Sequence, residues 1–550
     1  MSSAVAGPQT AAATAPNKRL ILLACILGSG IAFLDGTVVN VALPAIQADL
    51  GAGLSAQQWI VEGYMLSLSS LLLVGGSLDD LFERRTVFGV GVAGFGVMSL
   101  ACALAPSVGV LVAARVLQGA FGALLVPSTL AIIIATFPES ERGAAIGSWT
   151  AWTGISTVVG PLAGGVLIDA GSWRWIFLLN VPLVIAVLVL TVKAIPHTAS
   201  QQPDAKVDFL GAALCALGLG GVVFALIEQS RLGWSDPAVA LAGAGGVVAL
   251  VAFVVHEMRT ENPMLPLYLF RSRNFAVGNL ATLTMYAGLG GALFFVALYL
   301  QQVAGYSALK AGASFLPLTF MTFLLARRFG ALADRYGPRW FMGIGPVVGA
   351  IGLALLTRLD SEADYLTQLL PALLLFGLGL SMTVAPLTST VLGAVDEKHA
   401  GVASGVNNAI ARVAGLLAIA LIGAFVTSQF ESTLSDKLGD GPLSAQAQAA
   451  VREAKDRSLT TEPAQRVPPA ERPRVRGAME DASSAAFDVG LGVGAGLVLL
   501  GGLVSLVGIQ NPRRSVPCAD CPGGALVGAS EDLGRLPELE LPRAAAPARA

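Results

Sequence analysis

The chain has 550 residues, and 34 Lys plus Arg nearly balance 36 Asp plus Glu, for a net charge of −2. Only 13% of residues are charged while 54% are hydrophobic, against about a quarter charged in soluble domains. So few charges cannot cover a soluble protein of this size and form no basic stripe, which excludes an ordinary cytosolic enzyme, a disordered chain and a nucleic-acid binder, and leaves a polytopic membrane protein.

The charges are segregated: residues 431–481 hold 17 and residues 510–550 hold 10. A membrane span takes about 20 mostly apolar residues. Fourteen stretches qualify, at 20–44, 57–78, 87–105, 109–136, 143–168, 175–194, 208–228, 238–257, 275–301, 311–329, 340–357, 366–392, 402–426 and 486–509. The first is too long for a cleavable signal and stays as a membrane helix. An even number puts both termini on one side. With the termini inside, short inner segments carry 17 basic residues, among them Lys18, Arg84, Arg85, Arg142, Lys206, Arg335, Lys398, Arg513 and Arg514, against four in short outer loops: Arg174, Arg231, Lys310 and Arg358. The bias predicts cytoplasmic termini. The Ala/Thr/Pro-rich tail 1–19 and the Pro/Ala/Gly-rich tail 510–550 read as disordered. The outer loop 427–485 reads as a solvated spacer with a helix-prone run at Ala445–Ala454.

Metal and cofactor chemistry find little support. Cys25, Cys102 and Cys215 sit in apolar runs as small core residues, and Cys518-x-x-Cys521 supplies only half of a zinc site. His197, His256 and His399 form no catalytic or metal cluster, and no phosphate-binding G-x-x-x-x-G-K-[ST] occurs, so neither an embedded transferase nor an ATP motor is expected. No metal and no cofactor is expected.

Two inner loops resemble each other: Gly76-Ser77-Leu78-Asp79-Asp80-Leu81-Phe82-Glu83-Arg84-Arg85 and Gly330-Ala331-Leu332-Ala333-Asp334-Arg335-Tyr336-Gly337-Pro338-Arg339, 254 residues apart. Setting aside two spans at 208–257, the repeat length suits six helices. The predicted organisation is a tail (1–19), a six-helix bundle (20–194), a linker with two inserted helices (195–257), a second six-helix bundle (258–509, including the 427–485 loop) and a tail (510–550). Parallel repeats of this kind mark transporters, with the substrate site between the halves.

These loops resemble the G-x-L-a-D-R-x-G-R-[KR] motif of the major facilitator superfamily. Further segments are similar to its fourteen-helix drug:proton antiporter branch: Leu34-Asp35-Gly36-Thr37-Val38-Val39-Asn40-Val41-Ala42-Leu43-Pro44, Arg115-Val116-Leu117-Gln118-Gly119, Ser156-x-x-x-Gly160-Pro161-x-x-Gly164-Gly165, Trp59 through Tyr64, Leu300-Gln301-Gln302, and Ser404-Gly405-x-x-Asn408-x-x-x-Arg412. The resemblance covers about 20–426 and the last span. Leu81 and Glu83 replace the loop motif's Arg and Gly, and Ser156 replaces the first Gly of the antiporter motif.

The resemblance implies an all-helical carrier in a bacterial plasma membrane, not an enzyme, that expels amphiphilic drugs or antibiotics in exchange for protons as a monomer; a proton-coupled metabolite transporter of the same fold is the alternative. Asp35, Glu62 and Arg115 are charges inside apolar runs, costly unless paired or wet, at ~13, ~8 and ~9 Å below the outer helix ends by 1.5 Å rise per residue. They are the expected proton-coupling group, with Arg115 facing Asp35. Asn40, Gln118, Tyr286, Phe294, Tyr299, Asn408 and Arg412 are expected to line a substrate cavity. Gly76, Asp80, Arg84, Arg85, Gly330, Asp334, Arg335, Gly337 and Arg339 form the expected gating loops, in which a motif Asp latches to a helix end or an Arg in one conformation. Gly160, Pro161, Gly164 and Gly165 make a kinked small-residue stripe for close helix approach.

Overall fold

The computed structural model describes residues 17–197, 207–261, 263–360, 363–395, 400–439, 443–457, 459 and 467–511. The described residues are helical and contain no strand. In chain order the helices are α1 (Lys18–Leu50), α2 (Leu54–Leu81), α3 (Arg84–Ala103), α4 (Val108–Thr136), α5 (Glu139–Ala170), α6 (Arg174–Ala194), α7 (Phe209–Leu232), α8 (Pro237–Glu257), α9 (Arg273–Gln302), α10 (Ala308–Tyr336), α11 (Pro338–Leu356), α12 (Tyr365–Leu392), α13 (Ala400–Leu438), α14 (Ala445–Arg457) and α15 (Arg472–Gly508). Thirteen are long and apolar enough to cross a membrane. The 28-residue α2 lies between the first two of them, so every expected span falls on a helix.

The packing repeats along the chain. In the first set α2 packs on α4, α3 on α4, α1 on α5, and α6 on both α1 and α3. The same pairings recur in the second set: α10 on α12, α11 on α12, α9 on α13, and α15 on both α9 and α11. The two sets meet along two seams, α5 with α10 and α2 with α13, and α1 touches α9 between them. The hairpin α7–α8 covers one seam only, with α7 against both α2 and α13.

Three helices outrun their apolar stretches. α1 reaches Leu50, where Gly51 ends it at φ +70°; α13 runs on to Leu438, and α15 begins at Arg472. The spacer reading of 427–485 is corrected here. Ala447, Ala450 and Ala454 form a buried stripe on α14 at helical spacing, and Leu459 and Val467 are buried as well. α14 packs on α13, α15 and α2 as a cap. Its alanines are small enough to bring it close, a feature that mean hydropathy hides. Residues 1–16 and 512–550, with Arg513, Arg514, Cys518 and Cys521, lie outside the described residues, as do Lys206, Lys398, His399 and the side chain of Asp80, while Lys18 and Arg19, assigned to the first tail by the sequence, open α1.

Candidate functional site

Five of the first six helices converge on Asp35. The acid sits on α1 and is fully buried; Arg115 on α4 is 1% exposed. Arg115 Nη1 and Asp35 Oδ2 form an ion pair. The pair is wrapped in hydrogen bonds. Gln118 Nε2 and Asn180 Nδ2 both donate to Asp35 Oδ1, at 3.2 and 2.9 Å. Arg115 donates from Nε to the Ile60 carbonyl (3.1 Å) and from Nη1 to Gln118 Oε1 (2.7 Å). Asn180 also donates to Ser99 Oγ (3.0 Å), which donates to the Phe177 carbonyl (2.9 Å). Tyr64 lays its ring 4.2 Å from the guanidinium carbon and donates its hydroxyl to the Ala32 carbonyl. Buried opposite charges persist only when their remaining hydrogen-bonding capacity is met, and this shell meets it. Gln118, expected in the cavity, belongs to this cluster. Tyr64 joins it from the Trp59–Tyr64 motif, and Ser99 and Asn180 join it without having been singled out by the sequence; the signal available was Asn180, the one carboxamide in the sixth apolar run.

Glu62 stands apart. It is fully buried, and neither carboxyl oxygen has a hydrogen-bond partner among the described residues. It lies one helical turn below Gln58, whose Nε2 donates across the α2–α13 seam to the Ile419 carbonyl (2.9 Å). Arg412 on α13 reaches the other set as well: its guanidinium lies 5.3 Å from the Phe33 ring of α1. Asn408, one turn earlier, is exposed and donates to the Ser404 carbonyl. Asn40 is partly buried on α1 and Tyr286 partly buried on α9.

Phe294 and Tyr299, expected to line the substrate cavity, lie in the interior of the second set. Both are buried; Phe294 packs edge-on to Phe295, and Tyr299 stacks on Phe487 at 4.0 Å and donates to the Leu359 carbonyl. The cause is the place of α9, which is covered by α1, α12, α13 and α15.

The Gly160–Gly165 stripe serves two neighbours. A Cβ at Gly160 would run into Thr37 and Leu34 of α1, and one at Gly164 into Val38. On the other face, a Cβ at Gly165 would run into the backbone of Ala308 and Leu309, and Gly312 lies against the Pro161 carbonyl. Small residues here bring α5 onto α1 and onto α10 together. Asp169, just beyond, accepts from the amides of Ala308 (3.2 Å) and Leu309 (3.1 Å). Nearby, Gln302 Nε2 donates to Gln47 Oε1 (2.7 Å), joining α9 to α1. The hydrogen bonds named here between the sets thus lie at the end where α1 finishes.

The opposite end differs. From Thr319 to Tyr336 of α10 the one buried residue is Ala333. Asp334, Arg335 and Arg339 are exposed there. Asp334 makes no ion pair among the described residues, Arg335 lies over the Tyr336 ring, and Arg339 donates to the Leu506 carbonyl. Gly337 takes φ +92° to turn α10 into α11, a conformation that favours glycine. In the first loop Glu83 stands at the matching place with φ −63°, so no glycine is needed; its carboxylate meets His197 Nδ1 at 2.6 Å. Arg84 and Arg85 donate to the Ala131 and Val192 carbonyls. Gly76 and Gly330 face Pro127 and Ala385 at ordinary contact distance. Asp79, beside Asp80, is buried and accepts from Ser128 Oγ (2.6 Å).

The family description Major Facilitator Superfamily matches residues 25–419, a range that holds Asp35, Arg115, the antiporter stripe and both loop motifs. The chain belongs to this superfamily. It is 36% identical over 423 residues to a tetracenomycin C resistance and export protein of Streptomyces glaucescens, covering 77% of this chain and 78% of that one. It is 37% identical over 444 residues to a puromycin resistance protein of Streptomyces alboniger, covering 78% and 86%. Multidrug resistance protein Stp of Mycobacterium tuberculosis is 33% identical over 422 residues, covering 76% and 78%. Among solved structures, a bacterial homologue of the human lysosomal transporter Spinster aligns with TM-score 0.62 at 17% identity, over 91% of this chain and all of the other; the agreement is one of fold.

Proposed function

We propose that the chain exports amphiphilic small molecules across a bacterial plasma membrane in exchange for protons, by alternating access between the two helical sets. The observation that carries this reading is the Asp35–Arg115 pair, a carboxylate and a guanidinium buried at membrane depth on two helices of one set. Such a pair is expensive to keep unless it is used. The resistance and export functions printed for the relatives point the same way.

With the termini cytoplasmic, as the basic loops favour, the described state is shut outside and open inside. Here Asp35 is held by Arg115, Gln118 and Asn180 and is closed to solvent. In the outward-open state the pair separates, Asp35 takes a proton from outside, and drug leaves. Return to the inward state re-forms the pair and sends the proton inward. Glu62, buried with no donor among the described residues, is a second carboxyl on α2 of the same set. One proton falling through about 150 mV supplies about 3.5 kcal/mol, enough for a gradient of a few hundredfold. No cofactor is required, and a monomer suffices.

The test is the full chain in liposomes under an imposed pH gradient, with a fluorescent amphiphilic dye as cargo. Asp35→Asn should abolish gradient-driven uphill movement at unchanged protein level. Full uphill transport by that variant refutes the assignment.

A further inference from the structure

The two seams between the helical sets are not equivalent. The α2–α13 seam is sealed by α7, whose Leu219, Val223 and Ile227 pack with Leu416 and Ala420 of α13. The α5–α10 seam has no such cover. It holds a cavity of about 970 Å³ lined by Ile155 and Val159 of α5, Leu316, Phe320 and Phe323 of α10, and Leu374 of α12. Phe320 and Phe323 are 65% and 70% exposed, and a Cβ at Gly154 would meet nothing within 4 Å.

The cavity leads inward. A second cavity of about 110 Å³ shares Leu316 and Thr319 with it and also touches Thr37 and Asn40 of α1 and Pro161 of α5. There Asn40 Oδ1 is buried with no hydrogen-bond donor among the described residues. It sits five positions beyond Asp35 on the same helix. An apolar wall that ends on one unmet acceptor is the make-up of an amphiphile site.

We propose that the α5–α10 seam is the binding site at which a membrane-dissolved amphiphile is taken up sideways. Its apolar body lies along Val159, Leu316 and Phe320, and a hydroxyl, amide or ammonium N–H at its leading end donates to Asn40 Oδ1. The inserted hairpin α7–α8 closes the other seam, so lateral access has one side. This inference rests on the export reading and specifies where its cargo comes from.

The experiment uses the full chain in liposomes without a gradient and an azide derivative of a lipid-partitioning bisbenzimide dye, photolysed and mapped by peptide mass spectrometry. Saturable label is expected on 154–159 and 316–323. Gly154→Trp and Val159→Trp, which fill the seam from two positions, should each weaken half-saturation about tenfold, and Asn40→Ala about three- to tenfold. Label confined to the α2–α13 seam, no saturable label on either segment, or no effect of both tryptophan variants overturns the proposal. Because labelling needs no gradient, loss of proton coupling would refute the export reading and leave the site standing. Normal uphill export with an unlabelled seam would do the reverse.

Discussion

Cutting the Asp35–Arg115 pair from either side should be costly, and cutting both sides less so than the sum. Arg115→Met leaves the Asp35 carboxylate buried with two neutral donors, Gln118 Nε2 at 3.2 Å and Asn180 Nδ2 at 2.9 Å. Losing one partner of a buried pair costs about 3–5 kcal/mol. Asp35→Asn leaves the guanidinium its contacts with the Ile60 carbonyl, Gln118 Oε1 and the Tyr64 ring. A desolvated cation over an aromatic face recovers about 2 kcal/mol, so this single change should cost less, about 1–3 kcal/mol. In the double variant no unpaired charge remains, and the two effects should fall short of additivity by about 2 kcal/mol or more. Thermal unfolding of the four proteins in lipid nanodiscs closes the cycle. Additivity within about 0.5 kcal/mol would mean that the two charges do not sense each other, and the cluster would lose its place in the mechanism.

Gly165→Leu should keep the far end from closing, because its side chain runs into the backbone of Leu309; an overpacking penalty of about 1–3 kcal/mol should raise the reaction of a Gln302→Cys thiol with an impermeant maleimide roughly 5- to 150-fold, and an unchanged rate refutes the closure. Trp59→Phe removes the Nε1–H donated to Glu228 Oε1 at 3.0 Å together with part of the ring that faces Phe224; it should cost at least about 1–3 kcal/mol in thermal stability, and no loss would show that α7 is held otherwise. Asp364 caps α12 outside the membrane-spanning segments, where the Thr367 hydroxyl and then its amide hold the carboxyl below its ordinary range. A lowered carboxyl favours the folded state above the unfolded-state value of about 3.9 and loses that contribution as pH falls through the folded value. Asp364→Asn should therefore flatten unfolding against pH in that acid range, and an unaltered profile refutes the assignment.

Asp35 and Arg115 were legible because a charge inside an apolar run is expensive and needs a reason. Asn180 and Ser99 were not, because neutral polar groups are common on membrane helices and carry no mark of their partners. The aromatics of α9 were ambiguous for a related reason. In a membrane both the lipid face and the packed face are apolar, so Phe294 and Tyr299 look alike whether they face a cavity, the bilayer or a core. The loop motifs were legible as a repeat, but the need for glycine at Gly337 and its absence at Glu83 follow from backbone angles of opposite sign.

Composition and hydropathy alone determined that the chain crosses a membrane many times, because the bilayer imposes a length and an apolar content on every span, and the two loop motifs pointed to a repeat. Tertiary structure decided which helices touch, that the Asp35 cluster draws on five of them, that α14 packs as a cap, and that one seam is sealed while the other is open. Those outcomes rest on contacts such as Gln58 with Ile419, 361 positions apart, and on glycines whose missing side chains matter only once a neighbouring helix arrives.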